Sequence, residues 1–266
     1  MMTNITISIK AQGFLNPIGR FLVKLTFLCT LVSFLFPDYS NAQNQADPTA
    51  QKLRQQLHED LFELRRLEFS DTSTNAKHIF GSQISGAVLS KYITDRVFNF
   101  RYSYDANLHL IASGQNHTIT IHNGYLTLPF IKRVAALIHE SRHAANPQDD
   151  EPHVFCPSPY IVQLEFQQYQ LKLGNLNDFK KIPACDNNER GAYGVQASFL
   201  ANLVRFCTNC TQETRQTAWE TYVTDGILRI TSPSAANRSI HGDLGRDEIR
   251  ILKERLKRYA VASQAR

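Results

Sequence analysis

Two histidines stand four residues apart in His139-Glu140-Ser141-Arg142-His143, with a glutamate directly after the first. On an α-helix, positions i and i+4 share a face, so both imidazoles can reach one ion. Zinc suits imidazole nitrogen, and a catalytic zinc keeps one position open for water. Glu140 lies one step round the helix, beside that face. It can take a proton from a water activated by the ion without itself binding the ion. It can then return the proton to a leaving amine. The chemistry predicted is zinc-assisted amide hydrolysis, with His139 and His143 as ligands and Glu140 as general base. The plainer alternative is a surface helix whose Glu and His align by chance, in a chain that has nine histidines.

Two ligands do not make a catalytic site, so a third is needed. His153 follows beyond the turn signal Asn146-Pro147 and the acidic run Asp149-Asp150-Glu151, and is the expected third ligand. Glu165 and Glu189 are its rivals, and Asp149 and Asp150 are further candidates. Each has a bland reading as well: a loop histidine, or carboxylates that solubilise a surface. Tyr193, in Gly191-Ala-Tyr-Gly194, is either a hydrogen-bond donor to an oxyanion or a ring packed at a helix start. His241 is either a supporting group or a surface residue. The sequence contains no nucleotide-binding glycine loop and no serine nucleophile elbow.

These residues need elements to hold them. Pro129 opens a helix over residues 130–145, which Asn146-Pro147 ends, with Val134, Leu137 and Ile138 as its buried stripe. Residues 97–103 and 118–122 alternate and are predicted strands, the second a possible edge strand beside the metal helix. Asn123-Gly124 signals a turn, after which 125–128 returns as a short strand. Helical spacing predicts helices over 51–69, 84–95, 160–173, 190–206, 212–228 and 247–261. Residues 70–76 and 232–241 read as loops. The fold expected is α+β, a helix-rich single domain with a small sheet. It spans residues 43–266: an N-terminal helical part (43–117), an active-site core (118–210) and C-terminal helices (211–266).

Residues 1–42 read as a signal peptide. Lys10, Arg20 and Lys24 precede an apolar run over 25–36, and Ser40-Asn41-Ala42 offers small residues at a cleavage site. The run falls short of the roughly 20 apolar residues that a span needs, so no stable membrane span is expected after cleavage. The predicted location is periplasmic or secreted. Cleavage removes Lys10, Arg20, Lys24 and Asp38 and lowers the net charge from +5 to +3. The remaining basic residues are scattered, and no nucleic-acid partner is expected. Export leaves Cys156, Cys185, Cys207 and Cys210, an even count that suits two disulfides. Sequence proximity favours Cys156 with Cys185 and Cys207 with Cys210. A zinc site or a redox Cys-x-x-Cys are the alternatives. Asn116, Asn209 and Asn237 begin Asn-x-Ser/Thr sequons.

The segment Arg133-Val-Ala-Ala-Leu-Ile-His-Glu-Ser-Arg-His143 resembles the active-site helix of the zincin metallopeptidases. The resemblance implies a minimal zincin-like domain, a zinc cofactor, and an extended peptide or protein substrate beside the metal helix. Zincin motifs prefer uncharged residues between the Glu and the second His, and Arg142 departs from this. The central part of the chain also resembles poorly characterised exported bacterial proteins with a His-Glu-x-Arg-His motif. Their pattern is matched by His139 to His143, His153 with Cys156, Cys185-Asp186 and Gly191-Ala-Tyr-Gly194. The expected function is an exported zinc-dependent metallohydrolase, a peptidase. The alternatives are an exported disulfide-stabilised structural or binding protein with a structural metal, or one with no metal.

Overall fold

The first helix begins where the chain supplies its own cap. The computed structural model describes residues 47–103, 111–145, 152–156, 160–164, 167–171, 183–187, 190–226, 229–230 and 244–259, all within the unit Ala42–Arg266. Asp47 accepts from the Thr49 N–H at 2.8 Å, and Pro48 occupies the start of helix α1 (Pro48–Arg65), where a missing N–H costs nothing. Leu53, Leu57 and Leu64 form its buried stripe. Ser73 and Ser85 cap α2 (Thr74–Phe80) and α3 (Gly86–Thr94) in the same way. The loop expected over 70–76 is therefore cut short by the Ser73 cap.

A three-stranded sheet follows. Strands β1 (Asn99–Ser103), β2 (Ala112–Gln115) and β3 (Thr118–His122) lie in the order β1-β3-β2, with β1 parallel and β2 antiparallel to β3. The expectation that 118–122 forms an edge is corrected: β3 is central, and Ile119 and Ile121 are fully buried. Both β3 and β2 touch the helix that carries His139, and β2 packs on it the more extensively. Asn116 and His117 join β2 to β3 with φ of 48° and 57°, the left-handed pair that a tight two-residue hairpin turn requires. The returning strand expected over 125–128 is also absent. Both sides of β3 are already paired, and Asn123–Thr127 forms a 3-10 turn instead. That turn sends the Tyr125 hydroxyl to buried Asp60, to which it donates at 2.6 Å.

Helix α4 (Phe130–Ala144) carries the metal motif. It buries Ile131, Val134, Leu137 and Ile138 and packs against β2 and α5 (Ala192–Phe206). Two contacts fix its ends. Arg133 near its start grips Asp60 of α1 with Nε and Nη2 at 2.8 and 2.7 Å. The His117 N–H donates to Ala144 O at its end, at 2.7 Å, satisfying a carbonyl that the helix itself cannot.

Beyond α4 the sequence pattern holds for α5, expected over 190–206, and misleads in part elsewhere. Within the helix expected over 160–173, the described residues are strands instead: β5 (Tyr160–Leu164) and β6 (Gln167–Leu171) pair antiparallel. Ile161, Val162 and two tyrosines favour a pleated surface, and cross-strand pairing outweighs the approximate helical spacing of the leucines. Short strands β4 (Val154–Phe155) and β7 (Pro183–Cys185) make a second ribbon. Helix α6 (Gln212–Thr221) gives way to a π-turn at Tyr222–Gly226, so the single helix expected over 212–228 is broken. Helix α7 (Arg246–Tyr259) matches the last predicted helix closely. The architecture is α+β, helix-rich with a small mixed sheet, as expected.

Disulfides join Cys156 to Cys185 and Cys207 to Cys210, the pairing favoured by sequence proximity. They fit an oxidising compartment. The signal peptide expected over 1–42 lies outside the described residues. Among those described, no helix is long and apolar enough to cross a membrane.

Candidate metal centre

The three candidate histidines meet. His139 and His143 project from one face of α4, and His153 comes to them from the residue just before β4. The His153 Nε2 lies 3.2 Å from His139 Nε2 and 3.0 Å from His143 Nε2. An ion held tetrahedrally by imidazoles at about 2.0–2.1 Å sets its nitrogens about 3.3 Å apart, so this spacing fits one shared ion. The cluster is one that can hold a metal. The rivals Glu165 and Glu189 lie outside the described residues, as do Asp149, Asp150 and His241.

Two of the rings are oriented from behind. The His153 Nδ1–H donates to Asp186 Oδ1 at 2.7 Å, and the His139 Nδ1–H donates to Gln196 Oε1 at 3.0 Å. With protons on Nδ1, each Nε2 presents a lone pair. Lone pairs facing one another across 3.2 Å repel, and a cation between them removes the repulsion. Asp186 and Gln196 are both nearly inaccessible to solvent, so these partners are firmly set. Asp186 also accepts from the Tyr193 N–H with Oδ2 at 2.7 Å, and its own N–H donates to Arg229 O. One carboxylate thus ties the third ligand to the start of α5.

Tyr193 forms a wall of the site. Its ring meets the His139 ring edge-on at 4.4 Å between centroids and stacks on His153 at 4.8 Å. The Arg229 guanidinium lies over its face at 5.0 Å. Burial pushes the Tyr193 hydroxyl up to about 12, despite Arg229, with Asp186, Glu140 and Asp225 adding to the rise. The phenol therefore keeps its proton at neutral pH and can act as a hydrogen-bond donor. Burial also holds His139 well below the usual histidine range, reinforced by His143 and His153. That keeps it neutral, which is the state that binds metal.

Glu140 is half-buried on α4 between the two ligand positions. Its field reaches Tyr193, so it belongs to the same locality. Arg142, the departure from the zincin pattern, has a structural task. Its Nε–H donates to Arg190 O at 2.9 Å and links α4 to the approach of α5. Sequence reasoning overlooked Asp186 and Gln196 as orienting groups. Asp186 stands in the Cys-Asp pair that the motif comparison quoted, whereas Gln196 gave no signal at all.

Comparison with models of known families, with curated proteins and with solved structures finds no match to this chain.

Proposed function

We propose that this chain is a zinc-dependent hydrolase of amide bonds, acting as a peptidase in an oxidising compartment outside the cytosol. The observation that carries the reading is the convergence of three imidazole Nε2 atoms beside a glutamate on the same helix. His139, His143 and His153 would hold the ion. Zinc, when bound, supplies a Lewis acid that acidifies water and polarises a carbonyl. Glu140 accepts the proton of the attacking water and delivers it to the leaving nitrogen. Asp186 and Gln196 fix the tautomers of two ligands, and the Tyr193 ring excludes water from one side. Export follows from the leader-like N-terminus and is supported by the two disulfides.

The test joins metal analysis to turnover. Wild type, purified at neutral pH, is expected to carry about one zinc per chain, and His143→Ala to lose it. Glu140→Gln is expected to keep the metal and lose cleavage of a mixed peptide library. Wild type without metal would sink the reading. Equal cleavage by wild type and Glu140→Gln would remove Glu140 from the chemistry. Zinc retained with no hydrolysis by wild type would favour a structural metal site.

A further inference from the structure

We propose that metal capture is coupled to the redox state of the Cys156–Cys185 disulfide, so that the oxidised chain holds the ion and the reduced chain releases it. The proposal rests on reading the three-histidine cluster as a metal site.

The geometry that carries it is local. His153 immediately precedes β4 and Asp186 immediately follows β7, and these two strands pair with each other over Val154↔Cys185 and Phe155↔Pro183. The pairing is short and irregular at that register, so its backbone bonds alone hold the ribbon weakly. Two further links close it. One is the His153–Asp186 hydrogen bond at 2.7 Å. The other is the disulfide, whose half-cystines stand next to Asp186 and three positions beyond His153. Phe155 is 58% exposed, so on the β4 side only the partly buried Val154 and the half-cystine Cys156 itself pack against the core.

The other two ligands need none of this. His139 and His143 sit on α4, which is clamped by the Asp60–Arg133 pair and capped by His117. Breaking the disulfide would leave His153 held by its Asp186 hydrogen bond and its stack on Tyr193 alone, so one ligand of three loosens while the two on the helix keep their place. Imidazole pairs on a helix bind metal far more weakly than a closed set of three. The second disulfide lies elsewhere, between the end of α5 and the start of α6, and is not part of the ribbon.

The chemistry balances with an external dithiol. Its thiolate attacks one sulfur of the Cys156–Cys185 bond, a mixed disulfide forms, and the second thiol resolves it. The dithiol leaves as a disulfide, having given two electrons and two protons, and Cys156 and Cys185 become thiols. The reverse reaction, with an oxidised dithiol-type catalyst, would license metal loading after export.

The experiment measures zinc affinity by competition with a chromogenic chelator. Oxidised full-length chain is compared with chain reduced by a water-soluble phosphine that is removed under inert gas before zinc is added. The double variants Cys156→Ser/Cys185→Ser and Cys207→Ser/Cys210→Ser are measured in parallel. Fluorescence of Trp219, a core residue 7% exposed, reports folding in every sample. Reduction and the first double variant are each expected to weaken zinc binding at least about ten-fold, with the Trp219 signal unchanged. The second double variant is expected to bind as wild type when oxidised, and to weaken on reduction. Equal or tighter binding by the reduced wild type, with its new thiols, would overturn the coupling alone. Loss of the Trp219 signal together with the metal would overturn it as a local device. An oxidised wild type that binds no zinc would overturn both the coupling and the metal site beneath it.

Discussion

Gly114 of β2 lies directly against the backbone carbonyl of Glu140, so close that no side chain can stand between them. A Cβ at this position would fall inside the contact shell of Glu140 O and C, and within 3.2 Å of Ala144 N. The metal helix is thus seated on bare backbone of an edge strand. Gly114→Ala is expected to push β2 and α4 apart. Such overpacking costs about 1–3 kcal/mol, read as a lowered denaturant midpoint. Zinc affinity should fall with it, because His139 and His143 flank the displaced carbonyl. An unchanged midpoint would show that the strand can slide away without strain.

The carboxylate behind His153 should matter more to the ion than to the fold. Asp186→Asn keeps the shape and removes the charge, and is expected to weaken zinc binding about ten- to a hundred-fold. Gln196→Leu removes the acceptor behind His139 and should weaken binding as well. Chelator competition checks both. Wild-type affinity in Asp186→Asn would mean that hydrogen bonding alone, without charge, orients the ring.

The metal-stripped chain should lose stability on mild acidification. Burial, then His143 and His153, hold His139 well below its unfolded value of 6.5. Below pH 6.5 the unfolded chain takes up a proton there that the folded chain refuses, so unfolding gains as pH falls. Stability tied to this group is fully present above that pH and declines towards the depressed folded value. The slope approaches about 1.4 kcal/mol per pH unit for one such group. Urea midpoints of chelator-treated wild type and His139→Gln across pH 5–8 give the comparison. Parallel curves would remove His139 as the source.

The Asp60–Arg133 pair is nearly buried, at 1% and 12% side-chain exposure, and Asp60 also receives the Tyr125 hydroxyl. Breaking one partner strands the other. Asp60→Asn is expected to cost about 3–5 kcal/mol, whereas Asp60→Leu combined with Arg133→Met should recover much of it. Thermal melts of the three proteins decide this. A double variant as weak as the single would point to Tyr125, not Arg133, as the stranded group.

The readable part of the site was the part written locally. His139, Glu140 and His143 lie within two turns of one helix, and helical geometry alone places them on neighbouring positions. His153 entered only as a candidate, since its distance from α4 depends on a ribbon whose strands have too few residues to register as pattern. Asp186 and Gln196 come from 33 and 57 residues away in sequence from the rings they orient, and nothing local marks them. The strands expected over 97–103 and 118–122 formed, as β1 and β3, whereas β2, β5 and β6 were missed for a related reason. In β2, Ala-Ser-Gly-Gln has no β-branched residue, and its strand form comes from pairing with β3 and from the helix pressed on it. In β5 and β6, side chains that suit either structure were decided by their pairing partners.

The clamp on α4 has a mechanical meaning. Arg133 stands about 9 Å along the helix axis from His139 and fixes the rotation of α4 about that axis. A ligand atom carried about 5–6 Å from the axis moves about 1 Å for a rotation of about 10°. Metal–ligand distances tolerate only about 0.2 Å. The ion pair between α1 and α4 therefore works as an angular stop, and the helix is aimed at its target by residues that never touch it.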